Sequence, residues 1–346
     1  MRTYEVILLH FRTPVHFGDA AEGGGLGDVT AFCRADTFFS ALCNEAAKMD
    51  KALLKKLTDK VTGGAILFSD LMPWFHAEAS LPEGDKNGGE RYDLYVPRPL
   101  LTLSAEKEER PLSFSETKQF STLRKELKKR AYIRASQMKD YLIDMKTGKQ
   151  TVDCEPVFGS FVLDTHFNGR SKTPYETGSF YFRKNAGLYL ILSVEEETDL
   201  EWMESLIRFV GLNGIGGRRS SGSGKFDFED DPLLLSEDEM YGPDDAALFK
   251  MLENGKAPWH MTLSSLLPAP DEIPAAREGN GKLVKRSGFA YSAEAGKPRK
   301  GNSVYMMAAG SCFKQRISGM VADVNSGTFP HPVYRLGKGL YVGLSL

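Results

Sequence analysis

A glycine-rich loop that carries two adjacent arginines restricts the fold most strongly. Residues 211–225 read Gly-Leu-Asn-Gly-Ile-Gly-Gly-Arg-Arg-Ser-Ser-Gly-Ser-Gly-Lys. The glycines allow the backbone to approach a ligand closely and to turn its N–H groups outward. The side chains from Arg218 to Ser221 add donors suited to phosphate oxygens. The pattern predicts an element that binds a polyanion; a loop that only closes a tight turn is the alternative.

The spacing within this loop argues against two common nucleotide-binding motifs. The Walker spacing from Gly217 reaches Gly222 but then gives Ser223 where lysine is required. The dinucleotide fingerprint from Gly214 gives Arg219 at its third glycine position. Both motifs also follow a strand and begin a helix, whereas this loop follows a segment of helical periodicity and precedes a short strand. A nucleotide hydrolase and a dehydrogenase are therefore disfavoured.

Strand-like and helix-like segments alternate in both halves of the chain. In the first half the pattern predicts strands at residues 4–11, 65–70 and 92–96, and helices at 36–49, with Asp36 as N-cap, and from residue 51 to the glycines at 63–64. In the second half it predicts a hairpin of 179–182 with 188–194, helices at 199–210 and 244–252, and strands near 225–228, 261–266, 283–291, 304–309 and 340–344. This order predicts an α+β fold of two ferredoxin-like domains, residues 1–165 and 166–346.

Residues 104–152 differ in composition from the segments around them. They are strongly charged and only weakly periodic, so we expect an insertion that projects from the first domain. Within it, residues 124–134 form a basic helical stretch that contains Tyr132 and Ile133. This stretch is a second candidate surface for a polyanion.

Charge is distributed unevenly, although the net charge is only −2. Acidic residues concentrate at 195–204 and 227–231, and basic residues at 124–134 and 282–300. Such asymmetry is typical of a protein with one face for a polyanion and other faces for solvent or protein partners. For any single run of charged residues, the alternative is a solvent-exposed surface that binds no ligand.

Catalysis has no positive signal in the sequence. His10 and His16 lie near a glycine-rich turn at 18–27, and imidazole can serve in acid–base chemistry, but no third residue is placed as an orienting partner. No two of the four cysteines have the spacing of a zinc or redox pair, so we expect no metal, no cofactor and no disulfide. The apolar run at 6–9 is too short for a signal peptide, and no stretch is long enough for a membrane span, so we expect a cytoplasmic protein.

Five segments resemble one protein family. These are His16-Phe17-Gly18, Arg34-Ala35-Asp36-Thr37-Phe38-Phe39-Ser40-Ala41-Leu42, Tyr95-Val96-Pro97-Arg98-Pro99-Leu100, His166-Phe167-Asn168-Gly169-Arg170 leading to Thr177-Gly178, and His331-Pro332-Val333-Tyr334-Arg335. Together with the loop at 214–226 they resemble, in order and spacing, the fourth subunit of the Csm effector complex of type III-A CRISPR interference, a RAMP protein. Arg34, Phe38 and Asn168-Gly169 depart from the usual pattern of that family.

The resemblance implies two RRM-related ferredoxin-like domains and a non-catalytic role. It implies binding of the 5′ tag of the crRNA, and docking onto the large polymerase-like Csm subunit and onto a backbone Csm RAMP subunit. The insertion at 104–152 would be a thumb-like element that parts bases at the tag boundary. The RNA-binding residues expected are His16, Phe17, Gly18, Arg34, Ser40, Arg130, Arg134, Arg170, Lys172, Gly214, Gly216, Gly217, Arg218, Arg219, Ser220, Ser221, Gly222, Lys225 and Arg335. Phe17, Tyr132, Tyr175 and Tyr334 are candidates for base stacking.

Two other functions are open at this point. One is a metal-independent endoribonuclease of the same superfamily that processes CRISPR precursor RNA, with His10 or His16 as general acid or base. The other is a scaffold whose acidic faces bind protein and whose loop binds no RNA.

Overall fold

The computed structural model describes residues 2–18, 25–76, 92–104, 113–167, 173–237, 242–292 and 294–345. The helices are α1 (Ala35–Met49), α2 (Lys51–Gly63), α3 (Phe114–Lys129), α4 (Met138–Thr147), α5 (Thr198–Asn213), α6 (Pro243–Glu253) and α7 (Ile273–Arg277). The strands of the N-terminal two thirds are β1 (Thr3–Phe11), β2 (Phe17–Gly18), β3 (Val29–Thr30), β4 (Ile66–Phe68), β5 (Met72–Phe75), β6 (Asp93–Pro97), β7 (Tyr132–Arg134), β8 (Gly159–Phe167), β9 (Pro174–Phe182), β10 (Ala186–Val194), β11 (Phe226–Asp227) and β12 (Leu233–Leu235). The C-terminal strands are β13 (Trp259–Thr262), β14 (Leu283–Arg286), β15 (Phe289–Ala290), β16 (Arg299–Lys300), β17 (Val304–Met307), β18 (Cys312–Phe313), β19 (Gly319–Asp323), β20 (Tyr334–Lys338) and β21 (Tyr341–Leu344).

An eight-stranded sheet organises the first two thirds of the chain. Its strands run in the order β11-β1-β10-β5-β6-β7, with β12 also paired to β1 and β4 also paired to β10. Every one of these pairs is antiparallel. The mixed helix-and-sheet fold is thereby confirmed, while the division into two ferredoxin-like domains stays a prediction.

Strand β10 has all nine of its residues buried, because both faces of the sheet are covered. Leu188, Leu190 and Leu192 enter one apolar core with helices α1, α2 and α5, and Tyr189 and Ile191 enter a second core with α4 and α6. The alternation follows from the two-residue period of a strand. For this reason the sequence of β10 is almost continuously apolar, whereas a strand with one exposed face alternates apolar and polar residues.

The position of β10 bears on two of the sequence predictions. It pairs with β1 over Thr3–Leu9, so the sheet crosses the domain boundary that we placed between residues 165 and 166. The predicted hairpin of 179–182 with 188–194 is wrong, since β9 pairs along its whole length with β8 instead. A turn signal at 185–187 marks a change of direction, but it does not determine which strands pair.

Residues 113–152, predicted as part of a projecting insertion, pack against the sheet. Strand β7 pairs with β6 at the sheet edge. Six side chains of the helices and strand in this segment are buried in the second core: Leu127, Ile133, Met138, Tyr141, Leu142 and Met145. Their spacing was obscured in the sequence by the lysines and arginines between them. The expected projection is therefore wrong for this part, and residues 105–112 lie outside the described ranges.

The nine-residue strands β8 and β9 form a separate two-stranded arm, defined as residues 159–167 with 174–182. The arm exposes large apolar side chains, including Phe161, Leu163, Phe167 and Tyr175. At its base, Val15 and Phe180 exchange two backbone hydrogen bonds of 2.9 Å. The arm is thus anchored beside the segment that leads from β1 to β2.

Helix α1 connects the sheet to the C-terminal part. We expected Asp36 to cap this helix, but Arg34 is the N-cap residue and its side chain makes no capping bond. Instead the buried carboxylate of Asp70 accepts the Ala35 N–H at 2.8 Å and the Ser265 N–H at 3.0 Å. One distant carboxylate therefore satisfies the start of α1 and holds the C-terminal part against it.

Within the described ranges, no helix has the length and apolar character needed to cross a bilayer.

Candidate nucleic-acid interface

The glycine loop turns sharply where α5 ends. Gly216 has φ +88°, and a Cβ atom at this position would lie 2.7 Å from the His16 carbonyl oxygen. A Cβ atom on Gly217 would overlap the His16 ring. Glycine is required at both positions because the loop passes directly over the segment that contains His16.

Backbone hydrogen bonds attach the loop to residues 12–16. Gly217 N–H donates to the His16 carbonyl at 2.8 Å, and Gly224 N–H donates to the Pro14 carbonyl at 2.8 Å. Lys225 N–H donates to Thr13 Oγ1 at 2.9 Å. The loop at 214–225 and the segment at 12–18, far apart in sequence, therefore form one surface.

His16 is held by the arm. Its Nδ1 lies 2.7 Å from the Gly178 carbonyl oxygen, which can only accept, so the ring donates from Nδ1. The side chain is buried and contributes to the wall of the cleft described below. His10, the other candidate acid or base, packs against Trp74 with a ring-centroid separation of 4.9 Å.

The two adjacent loop arginines point to different surroundings. Arg218 is the one non-glycine residue with positive φ in the described part of the chain, at φ +58°. Its Nη1 donates to Thr177 Oγ1 at 2.5 Å and lies 3.4 Å from His166 Nε2, both on the arm. Arg219 instead lines the cleft. Arg218 thus joins the loop to the arm, and Arg219 is available to a ligand.

A cleft of about 340 Å³ lies between the loop, α1 and the C-terminal strands. It brings together these predicted residues: His16, Phe17, Gly18, Arg34, Ser40, Gly216, Gly217, Arg219 and Arg335. It adds residues that the family resemblance did not single out: Asn44, Arg286, Ser287, Phe289 and Tyr291. No acidic side chain is among its described lining residues, although the chain as a whole carries a net charge of −2.

A buried carboxylate orients two of the four lining arginines. Asp36 accepts Arg286 Nε at 2.9 Å and Arg286 Nη2 at 3.0 Å, and it accepts Arg335 Nη1 at 2.7 Å. Burial raises the pKa of Asp36, but the two guanidinium groups more than offset this and lower it to about 2. The carboxylate therefore stays ionised and fixes both cations at the cleft wall, one of them from β14 and the other from β20.

The other two arginines of the cleft have no such partner. Neither Arg34 nor Arg219 has a side-chain hydrogen bond or ion pair to any other residue that the structure describes. Arg34 interacts electrostatically with the buried Asp70, so four guanidinium groups lie beside two buried carboxylates, and an excess of positive charge remains. The cleft can therefore bind phosphate oxygens through geometrically fixed and adjustable donors together.

Aromatic side chains surround the mouth of the cleft. Phe289 is 75% exposed, Tyr291 48% and Tyr334 36%. Of the four predicted stacking candidates, Tyr334 and Phe17 line the cleft, Tyr132 packs against Phe32, and Tyr175 lies on the arm beside His166. Phe289 and Tyr291 were missed because nothing local distinguishes an exposed aromatic residue beside a site from one elsewhere on a surface.

The remaining predicted residues lie elsewhere. Gly214, Ser220, Ser221, Gly222 and Lys225 are in the loop but are not part of the cleft wall. Arg130 donates to the carbonyls of Val152 and Asp153, and Arg134 pairs with Asp93 at 2.5 Å and with Asp244 at 2.8 Å. Arg170 and Lys172, as well as residues 19–24 of the predicted glycine turn, lie outside the described ranges. No cluster suited to a metal ion occurs among the described histidine, cysteine, aspartate and glutamate residues.

The fold and the cleft together define a class of protein, a mixed helix-and-sheet protein whose glycine loop and four arginines line one cleft. A family model described as the CRISPR Csm4 C-terminal domain matches residues 255–344. A protein of Mycobacterium tuberculosis described as "CRISPR system Cms protein Csm4" is 31% identical over 336 residues, covering 95% of this chain and 94% of that protein. The chain belongs to the Csm4 family.

More distant relatives agree in sequence and in fold. A Csm4 protein of Streptococcus thermophilus is 26% identical over 356 residues, covering 99% of this chain and 100% of the relative. A crystal structure of a Csm3-Csm4 subcomplex of the type III-A CRISPR-Cas interference complex has a TM-score of 0.60 at 17% identity, covering 99% of this chain and 100% of that one. A Csm1-Csm4 cassette with pppApA has a TM-score of 0.57 at 18% identity, covering 100% and 99%. At these identities the two structures show a shared fold.

Proposed function

We propose that this chain is a non-catalytic RNA-binding subunit of a type III-A CRISPR interference complex and that its cleft holds the 5′ tag of the crRNA. The single observation that supports this most is the convergence of Arg34, Arg219, Arg286 and Arg335 in one cleft beside the glycine loop. These residues come from four separate segments, and no described acidic residue lines the cleft with them.

The chemistry of the cleft fits single-stranded RNA. Proteins hold single strands through contacts to phosphates and through stacking of unpaired bases on aromatic rings. Arg34 and Arg219 supply the adjustable phosphate contacts, and Tyr291 and Tyr334 are exposed for stacking. The hydroxyl of Ser40 in the cleft wall can serve a ribose 2′-hydroxyl.

The arm is a better candidate than residues 113–152 for the element that parts bases at the tag boundary. It extends as two paired strands and exposes Phe161, Leu163 and Phe167, whereas helices α3 and α4 pack against the sheet. Large apolar side chains inserted between bases compensate for lost base stacking. Arg218 connects this arm to the glycine loop through Thr177.

The partners follow from the relatives. Solved relatives occur as Csm3-Csm4 and Csm1-Csm4 assemblies. We propose that this chain likewise docks onto a large polymerase-like subunit and onto a backbone RAMP subunit. The acidic surface at 195–204 is a candidate for one of these contacts, since its exposed members Glu195, Glu197 and Glu201 line no part of the cleft.

The binding test compares one arginine of the cleft with one outside it. Arg219→Ala should weaken binding of a crRNA that carries its 5′ tag by about tenfold to a hundredfold, because a hydrogen bond to a charged group contributes roughly 1.5–3 kcal/mol. Arg277→Ala, at an exposed position on α7 that does not line the cleft, is the matched control. Fluorescence anisotropy with labelled RNA measures both. Equal affinities for the two variants would contradict the assignment.

The absence of catalysis is tested separately. Repeat RNA incubated with the chain without metal should stay intact. Gly178 fixes the His16 ring with Nε2 free to accept a proton, but no carboxylate and no second histidine is among the described residues that line the cleft with it. Metal-free cleavage that His16→Ala abolishes would establish the endoribonuclease instead. An assembly that survives RNase treatment and gives no crosslink from RNA to this chain would establish the scaffold.

A further inference from the structure

A second and larger groove adjoins the cleft. Its volume is about 650 Å³, within the range of ligand sites in proteins. Helices α1 and α2 form one wall, and residues 290–292, 294, 329 and 331–334 form the other. Arg219 and Tyr334 belong to both cavities, so the two are continuous at the glycine loop.

The lining of this groove is suited to a flat ring. Tyr291, Phe329 and Tyr334 lie on the C-terminal wall, and Cys43, Ala47 and Leu54 lie on the helical wall. Phe329 is buried, whereas both tyrosines are partly exposed to the groove and to solvent. Aromatic rings opposite small aliphatic side chains leave a slot in which a planar group can stack.

Positive charge surrounds this slot. Lys48, Lys51, Lys55 and Arg219 oppose Asp59 and Glu294 in the lining, which leaves an excess of two positive charges. Lys51 pairs with Glu294 at 3.3 Å, and Lys48 pairs with Glu45 at 2.7 Å. The Lys51–Glu294 pair is exposed on both sides and therefore weak, so a phosphate can draw Lys51 away from its partner, whereas the buried Glu45 holds Lys48.

We infer that the groove is a nucleotide subsite, in which one unpaired base of the RNA stacks between Tyr291 and the helical wall while its phosphate lies against Arg219. The inference rests on the proposed function, because it extends the path of the same strand out of the cleft. It adds a contact that the glycine loop does not supply: recognition of a base in a slot, rather than of the backbone.

The variant that tests the inference fills the slot. Ala47→Trp places a large ring in the groove from an exposed position of α1, and Ala52→Trp places the same ring at an exposed position of α2 that does not line the groove. Tyr291→Ala removes one stacking surface from the opposite wall and is independent of any effect of Ala47→Trp on folding. Circular dichroism confirms that each variant is folded.

The probe is a series of synthetic single-stranded RNAs that share the tag sequence and lengthen by one nucleotide, each with 2-aminopurine at its terminus. One length should bind the wild type about tenfold more tightly than the next shorter RNA and should show quenched fluorescence, as stacking of one base implies. Ala47→Trp and Tyr291→Ala should remove this step, and Ala52→Trp should keep it.

Three outcomes separate the inference from the proposed function. If the step is lost only in the two groove variants, the subsite is supported. If every groove variant binds like the wild type while Arg219→Ala binds weakly, the cleft stands and the subsite is wrong. If the wild type binds no RNA of the series, the proposed function fails and the subsite fails with it.

Discussion

Two groups of arginines are both predicted from the sequence to bind RNA, but they have different surroundings in the structure. Arg130 and Arg134, in the basic run at 124–134, are bound by backbone carbonyls and by the carboxylates of Asp93 and Asp244. Arg34 and Arg219, separated by most of the chain, line one cleft without a described side-chain partner. Whether a basic residue can bind RNA therefore depends less on its basic neighbours in the sequence than on the acidic residues that the fold places beside it.

The cleft itself contains both kinds of arginine. Asp36 fixes Arg286 and Arg335, and these two have fewer donors left for a ligand than Arg34 and Arg219. Arg286 and Arg335 position the C-terminal strands against α1, whereas Arg34 and Arg219 supply positive charge to a ligand. The predictions below separate these two roles.

The largest effect is expected from Asp36→Ala. The substitution leaves two guanidinium groups beside an apolar core without their carboxylate, which costs about 3–5 kcal/mol of the free energy of unfolding. Asp230→Ala, which breaks an exposed pair with Arg208, should cost at most about 1 kcal/mol. Urea denaturation measures both, and similar losses in the two variants would show that Asp36 is not a structural centre of the cleft.

The contrast between the two arginine groups predicts opposite results for Arg134→Ala and Arg34→Ala. Removing Arg134 takes a cation away from the buried carboxylates of Asp93 and Asp244 and should lower the free energy of unfolding by about 3 kcal/mol, with little change in RNA affinity. Removing Arg34 should lower RNA affinity about tenfold and, because Arg34 also interacts electrostatically with the buried Asp70, should cost at most about 1 kcal/mol of the free energy of unfolding. Denaturation and anisotropy on the same two proteins test this, and a loss of affinity in Arg134→Ala alone would reverse the comparison.

A buried carboxyl group without an arginine should respond to pH in the opposite direction from Asp36. Burial and the neighbouring Glu204 raise the pKa of Glu5 to about 8, above its value of 4.5 in an unfolded chain. The folded state therefore holds the proton more tightly, and the resulting stability, complete below pH 4.5, is lost as the pH rises toward 8. The pKa of Asp36, lowered to about 2, instead gives stability that is present above pH 3.8 and lost toward pH 2.

Glu5→Gln should remove the loss of stability that the wild type shows as the pH rises. Between pH 5 and pH 8 the wild type should lose on the order of 2 kcal/mol more of its free energy of unfolding than the variant does. Glu176→Gln, at an exposed position on the arm, should behave like the wild type. If the free energy of unfolding of the wild type and of Glu5→Gln changes in parallel with pH, then the pKa of Glu5 does not differ between the folded and unfolded states.

The smallest expected effect concerns the salt dependence of RNA binding. If Arg219 neutralises one phosphate, Arg219→Ala should reduce the slope of log affinity against log salt concentration by about 0.7. Arg130→Ala should leave the slope unchanged, because this guanidinium donates to carbonyls of the protein. Titrations at four or more salt concentrations distinguish these slopes. A reduced slope for Arg130→Ala would assign the basic run to the RNA path.

Local patterns in the sequence were sufficient for individual elements. The spacing of Leu200, Met203, Leu206, Ile207 and Val210 predicted α5, and the glycines at 63–64 predicted the end of α2, where Gly64 adopts a left-handed conformation. The order helix, loop, strand around the glycine loop was confirmed by β11. These features depend on residues within one or two helical turns of one another.

Long-range pairing was not predictable in the same way. The pairing of β9 with β8, the packing of α3 and α4 on the sheet, and the cap that Asp70 provides for α1 each join residues whose partners no local signal identifies. The contact of Arg286 with Asp36 spans 250 positions. The family resemblance therefore indicated many residues of the cleft, but the reason why they converge is visible only in the fold.

We propose that the cleft between the glycine loop, α1 and β20 holds the crRNA tag. The most direct test is ultraviolet crosslinking of the assembled complex with crRNA that carries 4-thiouridine within the tag, followed by identification of the crosslinked peptides. We expect crosslinks to peptides that contain Phe17, Arg34, Arg219 and Tyr334. Crosslinks that map instead to residues 124–134, with none in the cleft, would contradict it.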